Sequence, residues 1–312
     1  MKNSWSIFLL LLGFGSHLYS KSFMCKANDH FLSDIRADDL QLIDFYCKPN
    51  SKSKDTCIAL LRDNKNRFIL KQKLDFSFLP VIEKLGSYIA NSVNISANQV
   101  EIIPSNHPFV GKKEVDLPAS LHSFVSGMQA RYLSKHFNQY SVCLKQMVGI
   151  EKILGFTRRL VNYMSLHEDF AKIIALDTFV ANYDRHKGNF FYNKKTDHFS
   201  VIDFGCSFQK NLAEDVYQSF VSMAKDKKLF FSPEEIKGLI AYRDMLKRLI
   251  NKYDQITLIA KFNALIDEAQ IDITQKKAYK RKERHSQIMM ANYNSCNKVI
   301  DIVDILIKKH DG

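Results

Sequence analysis

The segment LDTFVANYDRHKGNFFYNKKTDHFSVIDFGCSF, from Leu176 to Phe208, decides the fold predicted for this chain. Within it, Asp184 and Asn189 stand in the order D-x-x-x-x-N, and Asp203 opens a D-F-G triplet. The residues between these two motifs alternate as expected of a short β-hairpin. Three polar residues at two fixed spacings within one helix–loop–hairpin form a far more specific pattern than either spacing alone.

Both spacings are typical of proteins that transfer a phosphoryl group. In protein kinases, the D-x-x-x-x-N spacing places an acid at the acceptor hydroxyl and an amide on a metal ion. The D-F-G aspartate holds Mg²⁺ against the nucleotide phosphates. The sequence therefore predicts a phosphotransferase that uses ATP and Mg²⁺. In it, Asp184 accepts or orients the proton of the acceptor hydroxyl, and Asn189 and Asp203 hold the Mg²⁺.

The same residues carry a resemblance to known families. DRHKGN followed by VIDFG resembles the DRHxxN and IDFG signatures of phosphoinositide 3/4-kinases. It is also similar to the NxDRHxxN catalytic loop of their bacterial relatives, the HipA-type and the secreted phosphoinositide-kinase-like protein kinases. HipA-type enzymes usually end this block in a P-x-Y-D form, whereas this chain has IDFG. That departure favours the phosphoinositide-kinase-like branch.

Two further residues of the loop are candidate catalytic residues. His186 is a second possible base beside Asp184, because imidazole titrates near working pH. The family resemblance implies, as alternatives, that Arg185 and His186 brace the loop or meet the developing charge. The sequence leaves these roles open. Asp177, which precedes the loop, is expected to cap or brace it rather than to touch substrate.

A lysine and a glutamate upstream complete the predicted ATP site. Lys71 lies in RFILKQK on a predicted strand, as does the phosphate-contacting lysine of kinases. Lys73 on the same face is the alternative. Glu83 lies in the predicted helix Leu74–Val93, where kinases carry the glutamate that orients this lysine. Each residue taken alone is also compatible with an ordinary exposed charge.

The loop from Lys48 to Asp55 lies where kinases cover the phosphates, although it contains no glycine. Hydroxyl, ammonium and backbone N–H groups all bind phosphate, so Ser51, Ser53 and the neighbouring lysines are candidate ATP contacts. The loop resembles the serine-bearing, lysine-rich loop of phosphoinositide kinases. A solvated basic hairpin tip would have the same sequence.

The whole pattern predicts an α+β, two-lobed protein-kinase-like fold. An antiparallel sheet with one helix is expected over residues 23–125, and a mainly helical lobe over residues 126–312, with the nucleotide between them. The predicted strands are Leu40–Tyr46, Thr56–Arg62, Arg67–Lys73, Gln99–Ile103 and a hinge strand, Ser120–Phe124. The later predicted helices are Ala130–Phe137, Ile150–Met164, His167–Tyr183, Leu212–Ala224, Pro233–Tyr253, Ile256–Ala269 and Gln287–Lys308.

Charge suggests an acidic partner. The net charge is +12, and the run KKAYKRKERH over residues 276–285 concentrates part of it. Such a run binds lipid headgroups or a phosphorylated substrate, or is simply a solvated helix face. The expected partners are a protein substrate or a phosphoinositide lipid, with an anionic membrane surface as a further possibility. No nucleic acid is expected, and the oligomeric state is not predicted.

The N-terminus predicts export. Lys2 precedes a short apolar run, which is typical of a secretory signal over residues 1–22, with an uncleaved anchor as the alternative. Export permits disulfides, and Cys25, Cys47 and Cys57 are the cysteines most expected to pair. Cys206 is expected to be a buried free thiol.

Three functions remain in view. The leading one is a secreted bacterial Ser/Thr protein kinase, because this chain of 312 residues lacks the accessory domains that present lipid in eukaryotic phosphoinositide kinases. The alternatives are a phosphatidylinositol 3/4-kinase that acts on membranes and a nucleotide-binding pseudokinase module. Because ATP is scarce outside the cytosol, an exported kinase is expected to act inside another cell, as an effector delivered to a host.

Overall fold

The computed structural model describes residues 41–47, 56–62, 67–73, 78–104, 118–125, 127–129, 157–226 and 229–309. The predicted signal segment, the predicted helix Ala130–Phe137 and both serines of the predicted phosphate loop lie outside these ranges. The predictions made for them therefore stay predictions.

Five strands form an antiparallel sheet in the N-terminal part. They are β1 Gln41–Cys47, β2 Thr56–Arg62, β3 Arg67–Lys73, β4 Val100–Ile103 and β5 Ala119–Ser123. Their spatial order is β1-β2-β3-β5-β4, so the predicted lysine strand β3 lies in the middle, next to the predicted hinge strand β5. Each predicted strand is present within one residue at either end.

Helix α1, Leu79–Ser92, follows β3. Pro80 is tolerated in its first turn, where backbone N–H groups have no intrahelical acceptor. Just after its end, Asn94 takes a left-handed conformation with φ of 63°, as asparagine does more readily than most residues. The helix lies inside the predicted range Leu74–Val93 and carries Glu83.

The C-terminal part is mainly helical. Its helices are α2 Thr157–Leu166, α3 Glu168–Phe179, α4 Leu212–Lys225, α5 Pro233–Lys252, α6 Gln255–Glu268 and α7 Lys276–Lys308. A small antiparallel sheet contains β6 Met128–Gln129, β7 Phe190–Asn193 and β8 His198–Val201. In the chain, β7 and β8 lie between α3 and α4, whereas β6 precedes α2. The β7–β8 pair is the hairpin predicted between the two motifs.

Helix α7 is longer than predicted. The sequence pattern predicted Gln287–Lys308, but the helix begins at Lys276 and takes in the whole basic run. The reason is that Ala278, His285 and Met289 are buried and extend its inner face by helical spacings. The basic run is therefore the N-terminal third of a helix that packs on the body of the protein.

Buried apolar residues form two clusters in the described part of the chain. The smaller one belongs to the sheet and contains Leu61, Phe68, Leu70, Ala119 and Leu121. The larger one joins the helices of the C-terminal part, and it also includes most of the apolar face of α1. Helix α1 thus follows the sheet in sequence but shares its core with the helical part.

The predicted fold class is confirmed. Over the described residues, an antiparallel sheet with one helix forms the N-terminal lobe, and a helical lobe with a small hairpin follows it, as in protein kinases. Among the residues that the structure describes, no helix has the length and apolar character needed to cross a membrane.

Candidate active site

Lys71, Glu83 and Asp203 come together between the two lobes. The Lys71 Nζ lies 3.2 Å from the Glu83 Oε1 and 3.5 Å from the Asp203 Oδ1. The second carboxylate oxygen of Glu83 accepts a hydrogen bond from the backbone N–H of Phe204 at 2.7 Å. Glu83 therefore connects the lysine of β3 with the D-F-G segment, which is the arrangement predicted for an ATP site.

The charges of these three groups are strongly interdependent. Burial by itself lowers the pKa of Lys71, but the carboxylates of Asp203 and Glu83 outweigh it, so the lysine stays charged. The Lys71 ammonium is the main reason why the pKa of Asp203 is lowered to about 2. Burial raises the pKa of Glu83 to about 7, and Lys71 opposes that rise. At neutral pH the site thus presents an ionised Asp203 beside a charged lysine.

Two glycines, Gly86 and Gly205, let the backbone approach neighbouring side chains closely at the D-F-G segment. A Cβ at Gly86 of α1 would lie 2.5 Å from the Phe204 ring, and a Cβ at Gly205 would lie 2.7 Å from Leu79 Cδ1. Phe204 itself is fully buried, whereas 42% of the Asp203 side chain is exposed. Asp203 also has a φ of 66°, a conformation that costs energy for a residue other than glycine. The local fold buries the ring and leaves the carboxylate at the cleft.

Asp184, the predicted base, lies on the exposed side of the catalytic loop. Partial desolvation raises the pKa of its carboxyl, while His186 opposes that rise. Asn189 donates from Nδ2 to the backbone carbonyl of Asp184 at 3.3 Å, and its own N–H donates to the carbonyl of His186 at 2.8 Å. The acid and the amide of the D-x-x-x-x-N motif are therefore held in one tight turn.

Asn182 is a residue of the site that the sequence analysis did not assign. It is fully buried, its Oδ1 accepts the N–H of Asp184 at 3.3 Å, and its Nδ2 donates to the carbonyl of Asp203 at 3.4 Å. One side chain thus fixes the backbone at both candidate catalytic acids. The available signal was the first asparagine of the NxDRHxxN pattern, which the chain matches at this position.

Arg185 supports the catalytic loop from its buried side. Its guanidinium is fully buried and donates to the Asp177 carboxylate at 3.0 Å from Nε and 2.9 Å from Nη2. Its Nη1 donates to the carbonyl of Ile202, and its Cζ lies 4.9 Å from the centre of the Phe204 ring. Direct contact of Arg185 with the developing charge, one of the roles left open by the sequence, does not fit a side chain with no accessible surface. Asp177 has the bracing position expected of it.

His186 is less suited than Asp184 to act as the base. Its Nδ1 accepts a hydrogen bond from the backbone N–H of Gly188 at 3.0 Å. A neutral imidazole whose Nδ1 accepts carries its proton on Nε2, so the second nitrogen is a donor. In this loop geometry Nε2 of His186 can donate a hydrogen bond, but neither ring nitrogen has a free lone pair that could take the proton of the acceptor hydroxyl. Asp184 is the better candidate.

Within the part of the chain that the structure describes, Cys206 and Cys296 are free thiols. Cys206, which follows the D-F-G triplet, is half-buried rather than buried as predicted, and its Sγ lies 3.9 Å from the Asp184 Oδ2. Burial, and then the charge of Asp184, raise the pKa of this thiol to about 11, so it is protonated at neutral pH. The pairing predicted for Cys25, Cys47 and Cys57 involves side chains outside the described part of the chain.

The predicted Mg²⁺ ligands are Asn189 and Asp203. In the described part of the chain no three His, Cys, Asp or Glu side chains gather into a metal site. Mg²⁺ in kinase sites needs only one or two protein oxygens, because water and phosphate supply the rest. Asp203 is ionised and partly exposed, and Asn189 donates through its nitrogen, which leaves its amide oxygen as the ligand atom. These two residues fit the ion.

No protein-family model and no curated protein matches the chain by sequence. Solved structures with a similar fold include the Helicobacter pylori proinflammatory kinase CtkA, with 14% identity and a TM-score of 0.47, covering 85% of this chain and 96% of that one. A putative aminoglycoside phosphotransferase from Ralstonia eutropha has 9% identity and a TM-score of 0.30, covering 83% and 93%. Plasmodium vivax ethanolamine kinase has 13% identity and a TM-score of 0.29, covering 81% and 82%.

Proposed function

We propose that the chain transfers the γ-phosphoryl group of ATP to a hydroxyl group, and that the acceptor is a Ser or Thr residue of a protein. The observation that carries the proposal is the joint placement of Lys71, Glu83 and Asp203, with Asn182 connecting Asp203 to the loop of Asp184. A lysine–glutamate pair and an available D-F-G aspartate are parts that phosphoryl transfer requires in kinases, since this chemistry depends on positioning and charge neutralisation.

The lysine group would hold the nucleotide. Lys71, oriented by Glu83, would donate to the α- and β-phosphates, and Asn189 and Asp203 would hold Mg²⁺ through oxygen atoms. The bound ion supplies positive charge against the phosphate oxygens. Ser51 and Ser53 remain proposed contacts from the loop above the phosphates.

Asp184 would act on the acceptor hydroxyl. Its raised pKa makes it a stronger base than a fully solvated aspartate, which helps it take the proton as the new P–O bond forms. Asn182 and the buried Asp177–Arg185 pair would fix the backbone around it. The protonated thiol of Cys206 lies 3.9 Å from Oδ2 of Asp184, and Oδ1 is the oxygen that we propose takes the proton.

A second candidate acceptor is a phosphoinositide at an anionic membrane. The observation that favours it is the exposed basic face at the start of α7, which is formed by Lys276, Lys277, Lys280 and Arg284. Basic residues near an anionic lipid surface each contribute on the order of 1 kcal/mol to binding. These charges also oppose the helix dipole, because cations destabilise the N-terminus of a helix. Helix stability therefore gives no reason for their position.

The test is transfer of labelled γ-phosphate with Mg²⁺, offered in parallel to generic protein acceptors and to phosphatidylinositol vesicles. Asp203→Ala is the control, since it removes a proposed Mg²⁺ ligand. Label on protein that the variant loses supports the protein kinase, and label on lipid supports the second candidate. ATP binding without transfer to either would contradict both and support the nucleotide-binding module.

Export stays part of the proposal, with delivery of the protein into a host cell as its consequence. The predicted signal over residues 1–22 would be removed from the exported protein. N-terminal sequencing of the protein recovered outside the producing cells would show this cleavage. Protein found only in their cytoplasm, with Lys2 still present, would contradict export.

A further inference from the structure

Helices from the far end of the chain hold the first turn of α1. Phe78, which caps α1, packs against Phe262 of α6 and His285 of α7, with ring centres 6.1 and 5.9 Å away. Phe262 and His285 are themselves 6.0 Å apart. Phe78 and Phe262 are fully buried and His285 is 5% exposed. This aromatic cluster fixes the end of α1 nearest to Glu83.

The middle and the end of α1 have similar supports. Lys84, next to Glu83, donates to Glu268 of α6 at 2.7 Å. At the last turn, two residues from the C-terminal end of α5 contact Ser92: the Tyr253 hydroxyl donates to its Oγ at 2.6 Å, and Lys252 donates to its carbonyl. Contacts at three positions along one helix oppose both its tilting and its outward shift.

Helix α7 also holds the other half of the site. His285 bonds the carbonyl of Phe208, just after the D-F-G segment, at 2.9 Å. Asn292 donates to the carbonyls of Thr178 and Phe179 at 2.8 and 2.9 Å, where α3 enters the catalytic loop. The same helix therefore fixes the glutamate helix, the D-F-G segment and the catalytic loop relative to one another.

We infer that α6, α7 and the C-terminal end of α5 form a clamp that keeps α1 in the position where Glu83 pairs with Lys71. The inference rests on the proposed function, and it makes Phe262 a positioning residue for phosphoryl transfer. An outward shift of α1 would open the aromatic cluster and expose apolar surface that is now fully buried, which is unfavourable. Because these supports all come from the chain's own residues, we expect the clamp to hold α1 without phosphorylation of the chain and without a partner protein.

The clamp also predicts which part of the lobe moves. Glu83 is carried by a helix that shares its core with the C-terminal part, and β4 is joined to that helix through Ile102 of the same core and the Lys84–Glu101 ion pair. Lys71 is carried by β3, whose buried apolar residues belong to the small separate cluster. Opening and closing of the cleft would therefore move β3 and Lys71 relative to Glu83. In nucleotide-free protein, amide hydrogens of α1 should exchange as slowly as those of α5, and those of β3 faster.

The decisive variant is Phe262→Ala, compared with Phe262→Leu and with Ile256→Ala, an 81% exposed position on the same helix. We expect Phe262→Ala to speed amide exchange in α1 and to weaken nucleotide binding, raising the KM for ATP by about tenfold to a hundredfold, because small displacements of positioning groups have effects of this size. Phe262→Leu should restore most of the affinity, and Ile256→Ala should match the wild type. Phosphatase-treated wild type should keep its full activity.

Tyr253→Phe provides the test if Phe262→Ala does not fold, because it removes only the hydroxyl that donates to Ser92. We expect faster exchange at the last turn of α1 and a KM for ATP raised by about twofold to fivefold. Unchanged exchange and unchanged KM in both folded variants would overturn the clamp while leaving the kinase activity intact. Loss of wild-type activity after phosphatase treatment would overturn it as well.

Failure of the proposed function has a different signature. A wild-type chain that neither binds ATP nor transfers its phosphate contradicts the proposed function. The amide exchange rates of α1 then test the clamp by themselves. Slow exchange in wild type that increases in Phe262→Ala supports the clamp, and fast exchange in wild type contradicts it.

Discussion

The two aspartates that flank the start of the catalytic loop have opposite surroundings. Asp177 is fully buried and forms an ion pair with Arg185. Asp184 is exposed and forms no ion pair with any of the described residues. Desolvation raises the pKa of both carboxyls, but only that of Asp177 is opposed by a guanidinium in direct contact. One side of this loop is built for rigidity and the other is left open for chemistry.

The difference shows how an exposed acid can be placed accurately. Loops that carry function are usually positioned by a rigid scaffold. Here the scaffold reaches into the loop itself, since Arg185 and Asn182 are buried neighbours of the exposed Asp184. Mutations on the two sides should therefore have separable effects, on stability for the buried side and on turnover for the exposed side.

The largest expected effect is on the buried side. Arg185→Met leaves the Asp177 carboxylate buried without its counter-ion, which should lower the free energy of unfolding by about 3–5 kcal/mol. Urea unfolding measures this change. Lys187→Met, an exposed position in the same loop, is the matched control and should stay within about 0.5 kcal/mol of wild type. Equal stability of Arg185→Met and wild type would contradict the bracing role.

The next effect is on the exposed side. Asp184→Asn should lower kcat by about 10²–10⁴-fold, because the proposed base is lost, while the free energy of unfolding changes little. His186→Gln should lower kcat much less, since the His186 Nδ1 is already bonded to the Gly188 N–H. Steady-state kinetics and urea unfolding of both variants make the comparison. A greater loss of kcat in His186→Gln would assign the base to the histidine.

Asn182 connects the two sides and should show both effects. Asn182→Ala removes buried hydrogen bonds to Asp177, Asp184 and Asp203, which should lower the free energy of unfolding by about 1–3 kcal/mol and also reduce kcat. The exposed Asn297→Ala on α7 is the control for truncation of an asparagine. A loss of stability with an unchanged kcat would show that Asn182 does not position the acids.

A smaller effect concerns the buried imidazole of His122, which forms no ion pair with the described residues. His122 is 4% exposed and bonds only neutral groups, Asn98 at 2.9 Å and Ser120 at 2.8 Å. Burial, and then the charge of Lys71, lower its pKa well below 6.5. Just below pH 6.5 this histidine binds a proton in the unfolded chain but not in the folded chain. The free energy of unfolding therefore has its full value above pH 6.5 and decreases as the pH falls below it.

The measurement is the free energy of unfolding at several pH values between about 7.5 and 5. Each such histidine contributes at most about 1.4 kcal/mol per pH unit. The slope should be smaller in His122→Gln than in wild type. The remaining slope combines two groups: His285, whose pKa burial also lowers, and Glu83, whose pKa of about 7 gives a contribution of opposite sign in this range. An unchanged slope in His122→Gln would show that His122 is protonated in the folded protein.

Much of the site could be predicted from local sequence. The spacing of Asp184, Asn189 and Asp203 is set by one short segment, and the alternation around Lys71 locates its strand. Glu83 follows from the helix after that strand, and the structure brings it to Lys71. In each of these cases a short-range pattern carries the information.

The remaining features depend on distant packing. The burial of Arg185 requires Asp177, the Ile202 carbonyl and the Phe204 ring to converge, which no local pattern indicates. The basic start of α7 concealed its helical spacing, because charged residues outnumber the buried ones there. The contact between Lys84 and Glu268 joins residues 184 positions apart.

The place of α7 in the chain has a consequence for biosynthesis. Asn292 supports the carbonyl of Thr178 from 114 residues further along, and His285 supports that of Phe208 from 77 residues further along. A ribosome therefore releases the catalytic loop well before the helix that holds it. The nascent chain can therefore gain these supports of its catalytic loop only after α7 has left the ribosome. We expect chains that stop before α7 to lack the supports at Thr178, Phe179 and Phe208, and with them the proposed activity.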